Sequence, residues 1–182
     1  MSFIKNIQEQ LGRFCLRKEK KRLQRNVKAF GLEKASSIGV LYNATNRDDA
    51  DTVKKFVQYL KEERKEVVSL GFIDTKETSE YLTSILNYTY FDQTHLKKNL
   101  VPEAKQVNSF LNQPFSILID LNRKEDCFPL EYISTLSKAK FKVGANGAYR
   151  NEVCDMLIEI GKEDKISFLI IQVKNYLKMI RN

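Results

Sequence analysis

The stretch Pro114-Phe-Ser-Ile-Leu-Ile-Asp-Leu-Asn122 decides the fold. Phe115, Ile117, Leu118, Ile119 and Leu121 make a short apolar run, bounded by Pro114 and by the polar Asn122-Arg-Lys-Glu-Asp126. A run that is apolar on both sides of the pleat, rather than alternating, is the pattern of a strand covered on both faces. Such a strand needs a helix layer above and another below.

Working outward, the chain supplies those layers in alternation. Ile38 to Tyr42 reads as a strand, with Thr45 and Asn46 as N-cap candidates because an acid (Asp48, Asp49) follows each three residues later. The helix they open is expected to run about twenty residues and to carry Val53, Phe56, Val57 and Leu60. Val67 to Ile73 and Tyr88 to Phe91 are further strands, and Thr78 to Leu86 and Pro102 to Leu111 are helices. Beyond the central strand come a helix over Pro129 to Leu136, a strand over Lys140 to Val143 and another over Val153 to Ile160, closed by Gly161. The last helix, Asp164 to Ile180, places Ile166, Leu169, Ile170, Val173, Tyr176, Leu177 and Ile180 on one face. Strands alternating with helices at this spacing predict an α/β fold: a three-layer, mostly parallel, Rossmann-like sheet.

The net charge of +8 is localised. Residues 1–34 hold ten Lys and Arg against three Glu, a net +7, while residues 35–182 are close to neutral at +1. The domain reading is therefore a basic helical arm over 1–34 attached to a single α/β domain over 35–182. In the arm, Ile4, Ile7, Leu11 and Phe14 share one helical face, and Leu16, Leu23, Val27 and Phe30 fall on another about half a turn away. One helix with two contact faces, or two helices broken near Gly12, both fit, with Gly31 as the C-cap that ends the arm. A complete apolar face usually packs against something, so the arm is expected to bury it on the body or on a second copy.

Cys15, Cys127 and Cys154 have no C-x-x-C spacing and no neighbouring His, which argues against a disulfide framework and a zinc site. The first residues lack the apolar core of a signal peptide, and the longest apolar run, Phe168 to Ile171, is too short to span a bilayer. The expectation is a cytoplasmic protein.

In open α/β sheets ligands bind beyond the carboxyl ends of the strands. Asn43, Asn46, Asp74, Asp120 and Asn122 form that rim and are the ligand-binding candidates, although turn chemistry alone explains such residues in many folds. The first βα turn, Asn43-Ala-Thr-Asn46, has no glycine, and no phosphate-binding loop motif occurs, so no nucleotide cofactor is called for. Asp120, Glu125 and Asp126 lack the spacing of a calcium loop, and no metal site is assigned. His95, the single histidine, sits in a loop without a nucleophile motif beside it, and no catalytic residue is assigned.

Arg13, Arg17, Lys18, Lys20, Lys21, Arg22, Arg25 and Lys28 are the candidates for contact with an anionic partner, whether RNA, a ribosomal surface or a membrane surface. The leading expectation is a non-enzymatic binding or assembly protein that uses this arm. The alternative is a small-ligand binder or degenerate enzyme that uses the strand-end rim. A homo-oligomer through Phe168, Ile171 and Met179, which point away from the main stripe of the last helix, is a further expectation.

The landmarks Ile38-Gly-Val-Leu-Tyr-Asn43, Leu70-Gly-Phe-Ile-Asp74, Ile119-Asp-Leu-Asn122, Pro129 to Gly144 and Asp155-Met-Leu-Ile158 resemble an uncharacterised family of small Bacteroidota proteins. That resemblance implies one compact domain and carries no activity. The segment Ile117 to Gly144 is also similar to the amino-terminal domain of heptosyltransferase-like glycosyltransferases. Those enzymes bind the donor nucleotide largely through a second Rossmann-like domain, so what the similarity implies is a relationship of fold.

Overall fold

The computed structural model describes residues 3–76, 88–161 and 165–181. The strands are β1 (Ser37–Asn43), β2 (Glu66–Ile73), β3 (Tyr88–Asp92), β4 (Ile117–Asp120), β5 (Phe141–Ala145) and β6 (Met156–Ile158). They form one sheet in the order β3-β2-β1-β4-β5-β6, with every neighbouring pair parallel. The central stretch behaves as its composition requires. Ile117 and Ile119 of β4 enter one core and Leu118 the other, and all four β4 residues are buried.

Two helix layers supply those cores. On one face α2 (Arg47–Glu62) and α6 (Ile166–Met179) bring Val53, Phe56, Leu60, Leu169, Val173 and Leu177 onto Ile38, Val40 and Val143. On the other, α3 (Ala104–Asn112) and α4 (Phe128–Leu136) bring Val107, Phe110, Leu130 and Ile133 onto Leu41, Leu70 and Leu118. The three-layer α/β expectation holds, and the sheet is parallel throughout its described strands. Tyr176, placed by periodicity on the buried face of α6, is 46% exposed. The helix expected over Thr78 to Leu86 lies outside the described residues.

Two elements differ from the sequence reading. The strand expected from Val153 begins only at Met156, because Arg150–Val153 forms a short helix, α5, closed by the Cys154 amide donating to the Arg150 carbonyl at 2.8 Å. The amino-terminal arm is helical only as α1 (Phe3–Lys20). It runs unbroken through Gly12, and residues 23–30 are not helical.

That second half of the arm is held by long-range bonds at the amino end of β5. The Lys28 amide donates to the Lys140 carbonyl at 3.0 Å, and the Arg25 guanidinium bonds the Asp155 carboxylate. The Leu32 amide then donates to the Leu177 carbonyl of α6 at 2.9 Å. Gly31 is not a helix cap. It lies so close to the end of α6 that a Cβ there would collide with the Ile180 carbonyl. The arm thus starts on the α4 layer and finishes on the α6 layer.

Candidate functional site

The strand order reverses between β1 and β4, and open parallel sheets place ligands at that point, beyond the carboxyl ends. Asn43 at the end of β1, with Thr45, Asn46 and Asp49 after it, faces Asn122, Arg123 and Lys124 after β4 across a crevice of about 380 Å³. Three of the five rim candidates, Asn43, Asn46 and Asn122, therefore come together.

Much of the crevice's polar chemistry is used within the protein. The Asn46 side chain accepts the Asp49 amide at 3.0 Å and caps α2. The Asn43 side-chain oxygen accepts the Thr45 amide at 3.0 Å, and the Thr45 hydroxyl accepts the Asp74 amide at 2.8 Å. Arg123 pairs with Asp49 at 2.6 Å, tying the two loops together. A helix N-terminus closed by Asn46 and carrying Asp48 and Asp49 in its first turn repels phosphate. One atom is left over: among the described residues the buried Asn43 Nδ2 has no hydrogen-bond partner.

Asp120 lies beneath this crevice and is sealed, at 1% exposure. Its carboxylate accepts the Asn122 amide at 3.0 Å and the Tyr149 hydroxyl at 2.9 Å. The Asn122 amide group donates to Tyr149 Oη at 3.2 Å and to the Lys124 carbonyl at 3.0 Å. The buried Arg150 guanidinium donates to the Ala145 carbonyl at 2.9 Å and to the Lys124 carbonyl at 3.3 Å. Burial raises the Asp120 carboxyl against the lowering pull of these donors and of Arg150. Together these groups stitch the loop after β4 to the loop after β5. Arg150 is legible in the sequence as a polar residue beyond a strand end, but Tyr149 was not, because no local pattern links it to a residue almost thirty positions upstream.

Asp74 sits elsewhere. It accepts Gln93 Nε2 at 2.9 Å and stands 4.0 Å from Lys124 Nζ, on a cavity of about 420 Å³ between the strand ends and α1. Lys5, Lys97, Lys98 and Phe128 line the same cavity, as does Leu100. Leu100 holds a left-handed backbone at φ 60°, a strained state for a bulky residue. His95 has a local structural role, with Nδ1 2.9 Å from Asp92 Oδ1 at the turn that leaves β3. Burial would raise the Asp92 carboxyl, but hydrogen bonds from Thr94 and the interaction with His95 hold it below its ordinary value. Among the described residues no group of three or more His, Cys, Asp or Glu is arranged to hold a metal ion.

The basic arm presents a different kind of site. α1 docks on α4 through Gly12 and Leu16, the two residues of the helix that are buried. Gly12 approaches the Asn99 carbonyl and the Phe128 ring so closely that a Cβ would overlap both, which is why this helix has a glycine in its middle. Arg13 adds a two-pronged pair to Glu131, with both contacts at 2.7 Å, and lies over the Phe128 ring at 5.5 Å. The Tyr132 hydroxyl donates to Glu19 at 2.8 Å. The helix therefore packs, but not by the face expected to pack. Phe3, Ile4, Ile7, Leu11 and Phe14 remain exposed, Phe3 at 79% and Phe14 at 67%.

The basic candidates divide accordingly. Arg13 and Arg25 are engaged in ion pairs, and Lys28 lies over the Phe30 ring at 5.4 Å. Arg17, Lys18, Lys20, Lys21 and Arg22 are exposed at the end of α1, and among the described residues none of them forms an ion pair. Arg17 and Lys20 border a groove that also carries Glu125, Asp126, Glu131 and Glu152. Lys18 and Lys21 point clear of it. Among the described residues no helix is long and apolar enough to cross a membrane.

A family model matches residues 8–180, from within α1 to the end of α6. The chain belongs to DUF6913, a family of unknown function. The match of this DUF6913 chain takes in the docking residues Gly12, Arg13 and Leu16 together with the sheet. Comparison with curated proteins and with solved structures gives no match.

Proposed function

We propose that this protein is a non-enzymatic binding module that attaches to an anionic partner through α1. The observation that carries this reading is the group of five exposed basic side chains, Arg17, Lys18, Lys20, Lys21 and Arg22, without ion-pair partners among the described residues, at and just beyond the end of a helix anchored through Gly12 and Leu16. Anchoring matters physically. A docked helix presents its charges at fixed spacing, so less ordering entropy opposes binding than for a free tail. Removing the arm would be a poor test, because it uncovers Phe128 and Tyr132 and strips Glu131 of its cation. Substitution is cleaner. Replacing Arg17, Lys18, Lys21 and Arg22 by Gln should leave the fold intact, weaken binding to heparin and flatten the salt slope by about the number of charges removed. Equal retention of both proteins at every salt concentration overturns the reading.

One atom supports a second reading, in which the crevice between β1 and β4 holds a small ligand. The buried Asn43 Nδ2 is a donor without a partner, and such groups carry a desolvation cost of about 1–3 kcal/mol. The acids of the first α2 turn favour a neutral polar ligand over the nucleotide donor that a glycosyltransferase-like activity would need. A thermal-shift screen with neutral sugars and amides tests it. Identical responses from the wild type and Asn43→Ala would remove it.

A further inference from the structure

Electrostatic attachment gives no role to the apolar stripe of α1. At 100° per residue, Phe3, Ile4, Ile7, Leu11 and Phe14 fall within an arc of about 100°, centred about 150° from the docked pair Gly12 and Leu16. The stripe extends about 16 Å along the helix, at 1.5 Å per residue. Lys18 continues its line, Arg17 stands to one side of its carboxyl end, and Lys21 and Arg22 follow just beyond the helix. The acids of α1 lie elsewhere: Glu9 pairs with Arg13, and Glu19 accepts the Tyr132 hydroxyl. What faces outward is a strip on a docked helix, apolar along about three turns and basic at one end, with no acidic residue in it.

We infer that the partner is an anionic lipid surface, on which α1 lies with the five apolar side chains inserted and Lys18, Lys21 and Arg22 among the headgroups. The inference rests on the reading of α1 as the partner-facing element. Charge complementarity selects this occupant. A nucleic acid would satisfy the lysines and leave five apolar side chains in water. A second copy packed on the stripe would satisfy those side chains, but it would bring no acid to Lys18 or Lys21 in either helix direction. An anionic bilayer satisfies both at once, which is the pattern of an interfacial helix. Phe3 and Phe14, near the two ends of the strip, are its deepest-reaching groups.

The test uses the full-length protein with vesicles of phosphatidylcholine alone, vesicles of phosphatidylcholine mixed with phosphatidylglycerol, and polyuridylate. The chain contains no tryptophan, so Phe14→Trp places a single fluorescent reporter in the stripe. The expected result is co-sedimentation with the mixed vesicles only, with blue-shifted emission from that reporter. Leu11→Glu, at an exposed position, should weaken vesicle binding at least tenfold, and Lys18→Gln and Lys21→Gln by about fivefold each. If polyuridylate binds with a steep salt dependence and the mixed vesicles do not, the lipid inference is overturned while the anionic-partner reading stands. It is equally overturned if the protein binds vesicles with unshifted emission, or if Leu11→Glu binds as the wild type does. Binding to no polyanion at all overturns both.

Discussion

Lys142 offers a direct physical test of the sheet-and-helix core. It lies on β5 at 1% exposure, and its ammonium donates to the carbonyls of Ser134 and Thr135 in the last turn of α4, at 2.7 and 2.9 Å. Burial, with a smaller push from Arg25 and against the pull of Cys154, Asp155 and Asp120, lowers its pKa from 10.5 to about 7. The unfolded chain keeps its proton up to 10.5, so between about pH 7 and 10.5 it binds more protons than the folded chain, and stability must rise with pH across that window. Below about pH 7 both states are charged and this contribution is flat. Two units above the folded value, near pH 9, the gain is on the order of 3 kcal/mol, at about 1.36 kcal/mol per unit. The buried thiols act in the opposite sense. Cys127 is pushed up to about 12 by burial and Cys154 further, so near pH 9, where an unfolded thiol is half ionised, each subtracts a much smaller amount than Lys142 adds. Lys142→Met removes the lysine contribution and keeps the thiols, so the difference between the two proteins isolates it. Urea midpoints taken from about pH 6 to about pH 9 should diverge by roughly 1 M. Parallel curves would mean that Lys142 stays charged when folded and that the reasoning is wrong.

Two other expectations concern the loops and the arm. Tyr149→Phe leaves the Asp120 carboxylate and the Asn122 amide short of a buried partner and should cost about 2–3 kcal/mol in urea unfolding, far more than the loss of an exposed hydroxyl. Gly12→Ala would stabilise an isolated helix by about 1 kcal/mol, yet here the added methyl meets the Asn99 carbonyl and the Phe128 ring. It should instead destabilise the protein by about 1–3 kcal/mol and speed trypsin cleavage after Arg13 and Arg17. A stabilised, protease-resistant variant would contradict the docked position of α1.

The parts of the fold legible in the sequence were those set by local pattern. The apolar run at 115–121, the alternation of strands with helices and the Asn46 cap all depend on residues within a few positions of one another. What could not be read depends on partners far away in sequence. Residues 23–30 leave the helix because Lys140 and Asp155 offer bonds that a continued helix could not reach. Asp120 and Asn122 were rightly placed at strand ends, but Tyr149 and Arg150 close over them from the next loop. Cys154 and Asp155 supplied too short a break to separate α5 from β6 by periodicity.

The arm teaches the sharper point. Apolar periodicity identifies a face that avoids water; it does not say whether the body of the protein or something else removes that face from water. In α1 the deciding signal was Gly12, which reads as a helix break by propensity and works as a contact, letting the backbone of the helix come against Phe128. Contact by a glycine, one leucine and an Arg–Glu pair holds the helix without using its apolar stripe. Had the stripe been the docking face, its outer side would be the charged one. Instead the body takes the small and ion-paired residues, and the apolar residues and Lys18 are turned outward together. That division is hard to account for by the stability of this chain alone, since turning five apolar side chains into solvent forgoes burial of about 1.5–3 kcal/mol each. It follows directly if a partner that is both apolar and anionic covers that face.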